Sequence, residues 1–160
     1  MTESLEAFRN LGLASVFEDL YFGKEVSANL QVYMSYPSEF RGATLDDWKP
    51  LTEGGLIPIV DDGNFSQICL FDPRARKFVV KFVEEPQEIV AEFDHWQQYL
   101  AYTLLEMAES GPSEDELTEL SDILGFRYTV EMLSLLREME TLSESEIDEK
   151  ADRFIEACGG

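Results

Sequence analysis

One histidine, two cysteines and twelve basic residues are all that this 160-residue chain holds of the side chains used most for metal binding, thiol chemistry and phosphate contact. With His95 as the sole imidazole, a histidine-based metal site is strongly disfavoured, and the usual nucleophile–base sets lack their base. Cys69 lies in an apolar run and reads as a buried thiol; Cys158 is near the end of the chain. Neither has the spacing of a disulfide framework or a metal knuckle. No glycine-rich stretch matches a phosphate cradle or a dinucleotide fingerprint. No apolar run reaches bilayer length, and the first residues lack a basic segment followed by an apolar one, so a cytoplasmic location is expected. There is no internal repeat or low-complexity tract.

Against twelve bases stand 33 acids, a formal net charge of −21. Such a field repels nucleic acid and anionic membrane and attracts basic proteins. Solubility alone is the plainer reading of the same charge. The acids are not evenly spread: between Glu84 and Asp122 there are twelve, with no Lys or Arg, whereas Arg74, Arg76, Lys77 and Lys81 sit just upstream. Hydrophobic residues make up 44 % and aromatics 12 %, enough for a core built without staples.

Periodicity is clearest in the centre. Short apolar runs over residues 56–60, 65–71 and 77–83 are separated by Asp61-Asp62-Gly63-Asn64 and by Asp72-Pro73-Arg74-Ala75-Arg76, both turn chemistry. They predict an antiparallel meander. In its third run Phe78, Val80 and Phe82 face one side and Lys77, Val79 and Lys81 the other. Ile89, Phe93, Trp96, Leu100, Leu104 and Met107 then recur at three- and four-residue steps, with Val90 widening the stripe. This predicts a long helix over residues 87–109, opening behind Pro86 and packed on the sheet.

Beyond Gly111-Pro112 the pattern is wholly helical. Ser113 with Glu116 and Ser143 with Glu146 read as capping boxes, and Gly125 as a helix stop. Upstream, residues 4–10 carry a short helical spacing, residues 13–23 show no clear period, and residues 30–36 read as strand or helix ended by Pro37. The expected fold is α+β, a mainly antiparallel sheet flanked by helices. The expected domains are residues 1–110 and a helical C-terminal extension, residues 111–160, packed on the first.

Asp61-Asp62-Gly63-Asn64 lacks the spaced ligands and closing acid of a calcium loop and reads as a strand-connecting turn. His95 reads as a surface or interface side chain. Tyr21, Phe22, Tyr33, Tyr36, Phe40 and Trp48 have two readings, core packing or interface anchors.

The segment Gly55-Leu56-Ile57-Pro58-Ile59-Val60-Asp61-Asp62-Gly63-Asn64, followed by Gln67-Ile68-Cys69-Leu70-Phe71-Asp72-Pro73 and the run 77–83, resembles the SUKH superfamily. That group contains the fungal cell-wall assembly regulator and bacterial toxin-immunity proteins. The resemblance covers residues 30–107 and is densest over residues 56–100. The leucine-proline and asparagine-glycine segment usual at the family's start is missing here, and the C-terminal helices lie outside its pattern. The resemblance implies an α+β binding protein without catalysis. No cofactor or metal is expected, and the chain is expected to be a monomer or weak dimer. Its expected role is to neutralise a cognate basic toxin domain, possible nucleases included. The alternative is a regulatory or scaffold protein with no toxin partner. The residues expected to contact the partner are Trp48, Asp61, Asp62, Glu84, Glu85, Glu88 and Glu92.

Overall fold

A computed structural model describes residues 2–37 and 49–160. The fold is α+β, with a four-stranded antiparallel sheet and, among the described residues, seven helices. The chain divides into two compact units, Met1–Phe93 and Asp94–Gly160. Residues 94–110, grouped with the sheet domain in the sequence expectation, fall in the second unit.

The first unit opens with α1 (Thr2–Asn10) and α2 (Val16–Tyr21). The second of these was not visible as a period, because its six residues hold only one turn and a half. It nevertheless buries Val16, Phe17 and Leu20. Arg9 on α1 donates through Nε and Nη2 to Glu18 on α2, at 3.3 and 2.9 Å. Phe8 meets Tyr21 and Tyr36 edge-on, with ring centroids 6.3 and 6.4 Å away, and Tyr21 lies 4.9 Å from Tyr36. These are favoured quadrupole geometries. The Tyr36 hydroxyl has a buried partner in Ser4 Oγ at 2.8 Å. Tyr36 is thus core, Tyr21 is half-buried beside it, and Phe22 is exposed.

After α3 (Ala28–Gln31) the chain reaches an isolated bridge at Ser35 and then the sheet: β1 (Ile57–Asp61), β2 (Gln67–Asp72), β3 (Lys77–Phe82) and β4 (Ala91–Phe93), in that spatial order. The expected meander is present, with a bulge between Pro58 and Val60. Pro58 is tolerated because β1 is an outer strand, where a missing N–H does not break an interior ladder. Ile68, Cys69, Leu70, Val79 and Val80 are all buried, so both faces of the central strands are covered; α1 lies against β1. The alternation expected for β3 therefore fails at its end, where Lys81 is buried and Phe82 is exposed.

The long helix expected over residues 87–109 is two elements. Residues 91–93 form β4, with Phe93 opposite Phe78 and Ala91 opposite Val80. Helix α4 (Trp96–Ala108) starts only at Trp96. A hydrophobic step of three or four residues also arises by chance in a strand joined to a helix. The sign of the break was the pair His95 and Gln98: Gln98 Oε1 accepts from the backbone N–H of Asp94 and His95, both at 3.1 Å, and so starts the helix.

In the second unit α4 buries Leu100, Ala101, Leu104 and Met107 and is followed by α5 (Glu114–Leu124), α6 (Thr129–Met139) and α7 (Glu144–Ala157). The Ser113–Glu116 capping box is reciprocal, at 3.0 and 3.1 Å. Gly125 closes α5 at φ 76°, a left-handed angle that favours glycine, and Phe126 N–H reaches back to Ser121 O at 2.9 Å. The Gln97 side chain ties α4 to the next connection, donating to Gly125 O at 3.0 Å and accepting from Arg127 N–H at 2.9 Å.

Candidate protein-docking surface

Asp61 and Asp62 prove to be parts of a turn. Asp61 is 3 % exposed. Its Oδ1 accepts from Ser35 Oγ at 2.6 Å and from Gly63 N–H at 2.7 Å, and its backbone N–H donates to Ser35 O at 2.8 Å. It therefore stitches residue 35 to the end of β1. Gly63, at φ 88°, is needed because a Cβ there would come within 3.2 Å of Val32 O. Asp62 accepts from the N–H groups of Asn64 and Ser66 and from the Ser66 hydroxyl. Partial burial pushes its carboxyl up, but the Ser66 hydroxyl and the surrounding amides outweigh this, and the group lies below its ordinary value. The lone pairs of both acids are turned to the loop. Trp48 and Phe40 lie outside the described residues.

Of the other four expected residues, Glu84, Glu85 and Glu88 share one connection and Glu92 follows on β4. The connection from β3 to β4 is pinned at both ends, by Val83 N–H to Ser66 O at 3.0 Å and Val90 N–H to Val80 O at 2.8 Å. Within it Glu85 N–H donates to Phe82 O and Glu88 N–H to Glu85 O. These two turns crowd the acids. Glu84, Glu85 and Glu88 are exposed, as is Glu92 on β4. The Glu85 carboxyl lies above its ordinary value, first because it shares a hydrogen bond with Glu88 and then through the charges of Glu88 and Glu84. Like charges held together in this way gain from a nearby cation.

Apolar side chains share this segment. Phe82 is 40 % exposed, Ile89 49 % and Val90 41 %. All three were assigned from sequence to buried stripes. The β-branched pair Ile89-Val90, followed within two residues by Glu92, was the available signal of strand approach in place of helix. The connection carrying Glu84, Glu85 and Glu88 thus also exposes Ile89 and Val90, with Phe82 exposed at the end of β3 and Glu92 on β4, an outer strand. An apolar centre with a charged rim is the usual composition of a binding surface.

Among the described residues no group of three or more His, Cys, Asp and Glu is placed to hold a metal ion, and no helix is long and apolar enough to cross a membrane. His95 is exposed at the start of α4. Burial raises the thiol of Cys69 well above its ordinary value and, with the Glu131 charge, raises that of Cys158 to about 11. Both shifts favour the protonated thiol at neutral pH. No family model, no curated protein and no solved structure matches the chain.

Proposed function

We propose that this chain is a non-catalytic binding module for a basic protein, engaged through the β3–β4 connection. The supporting observation is that Phe82, Ile89 and Val90 are exposed on and beside the connection that carries Glu84, Glu85 and Glu88, with Glu92 exposed on β4. Apolar contact supplies affinity, while carboxylates already crowded together favour lysine or arginine and steer it from a distance. The net charge of −21 adds to that steering. With the resemblance to the SUKH superfamily, this supports a cytoplasmic immunity protein whose partner is a basic toxin domain, such as a nuclease that must itself hold phosphates.

The test is calorimetry with the product of a neighbouring toxin gene. Raising salt from 50 to 300 mM, or reversing charge with Glu84→Lys, Glu85→Lys and Glu88→Lys together, is expected to weaken binding by about tenfold or more. Binding indifferent to both removes the electrostatic reading. A gene neighbourhood with regulators and no toxin favours the regulatory or scaffold alternative instead.

A further inference from the structure

A second feature of the sheet unit is independent of that surface. Helix α1, the start of β1 and the β2–β3 turn enclose a cleft of about 280 Å³. This is several times the ~30 Å³ that a water molecule occupies, and just below the range of sites for drug-sized molecules. It is open to solvent on one side and lined by Ala7, Leu11, Ile57 and Phe71. Glu3, Glu6 and Arg76, all exposed, also line it. Among the described residues these three have neither an ion pair nor a side-chain hydrogen bond, with one another or with any neighbour. Opposite charges thus line one small cleft without meeting.

Arg76 stands where glycine would be easier. Its φ is 55°, in the left-handed region that disfavours side chains. The turn does not need the guanidinium. It is held by Asp72 Oδ1, which accepts from the N–H groups of Arg74 and Ala75 at 2.9 and 3.2 Å, and by the pairing of Asp72 with Lys77. A side chain kept at a disfavoured backbone angle, unused by its own turn and lining a cleft, points to work done in that cleft.

From this geometry we infer that the cleft binds a small zwitterion with an apolar side chain, the chemistry of an aliphatic α-amino acid. The ligand's carboxylate pairs with Arg76, its ammonium with Glu3 or Glu6, and its side chain lies on Ile57 and Phe71. A purely cationic ligand would face Arg76 unpaired. A purely anionic one would face two glutamates.

The test is an amide-shift titration of the whole chain with L-leucine, N-acetyl-leucine and leucinamide. Leucine is expected to give saturable shifts at Ala7, Ile57 and Arg76, with a Kd below about 1 mM. The two capped forms, each missing one charge, are expected to bind about tenfold more weakly or worse. Arg76→Gly should abolish binding while leaving the melting temperature unchanged or raised, since it relieves the backbone. Tighter binding of the dipeptide Leu-Leu would keep the zwitterion and name a peptide as its source. No saturable shift with leucine, equal binding of either capped form, or binding unaltered by Arg76→Gly overturns the assignment.

Discussion

The two units of this chain reach order by different means. The sheet unit holds 16 acids and 8 bases, and the helical unit 17 acids and 4 bases over fewer residues. Among the described residues, eight of the eleven largest fully buried side chains lie in the first unit: Phe8, Phe17, Leu30, Met34, Tyr36, Ile59, Ile68 and Leu70. The second contributes Leu100, Leu104 and Leu120, and α7 has no buried residue at all. What the helical unit lacks in buried volume it supplies in caps and polar ties. It has the Ser113 and Ser143 caps, the Gly125 stop, the Gln97 bridge and the two-pronged Arg137–Glu114 pair at 3.0 and 2.5 Å. That pair is exposed, so its weight is small. Burial of large side chains dominates one unit, and caps and polar ties between helices carry more of the other.

The sharpest way to break this contrast is at the core. Phe8→Ala is expected to cost about 3–5 kcal/mol and Leu120→Ala about 2–4 kcal/mol in denaturant unfolding. An equal or larger loss for Leu120 would show that the helical unit is limited by its core as well. Next comes the bridge between helices. Gln97→Ala leaves Gly125 O and Arg127 N–H without their partner and is expected to cost about 1–3 kcal/mol. A variant as stable as the parent would deny the polar network its role.

A smaller effect concerns the one buried lysine among the described residues. Lys81 is 6 % exposed, and its ammonium finds only Leu51 O, at 3.4 Å. Burial holds it below the ordinary 10.5, with the Glu53 charge opposing. The folded form thus prefers the neutral amine, and stability rises with pH from the lowered value up to 10.5. Lys81→Met is expected to gain about 1 kcal/mol at pH 7 and to flatten that alkaline rise. A loss of stability at pH 7 would show the ammonium to be well paired. Smallest is Glu85→Gln. Because the carboxyl is raised in the fold, its contribution is complete in acid and lost as pH climbs above about 4.5. The variant should melt slightly higher than the parent at pH 7 and equally at pH 3; a lower melting temperature at pH 7 would contradict the crowding of Glu85, Glu88 and Glu84.

Much of the architecture could be read from residue order because the signals are local. The turns at Asp61–Asn64 and Asp72–Arg76 announce themselves through Asx chemistry, α5 and α7 through Ser–x–x–Glu caps, and the end of α5 through Gly125. The break at Asp94–His95 was hidden because Ile89, Phe93 and Trp96 keep a helical step across a strand–helix junction. The acids of residues 84–92 are visible as a block along the chain and are exposed in the structure, yet Asp61 and Asp62 carry the same charge and accept hydrogen bonds from Ser35, Gly63, Asn64 and Ser66. Charge can be counted along the chain, but whether a carboxylate faces solvent depends on which amides fold back onto it.

The order of residues alone determined the composition, the acidic excess, the meander and the capped helices, since each follows from propensity and spacing over a few positions. Only the tertiary structure decided that Lys81 would be buried and Phe82 exposed, that Asp61 would join residue 35 to β1, and that Glu3, Glu6 and Arg76 would line one cleft. Those outcomes bring together groups tens of residues apart. Their energies depend on solvent exclusion and on partners that no short window contains.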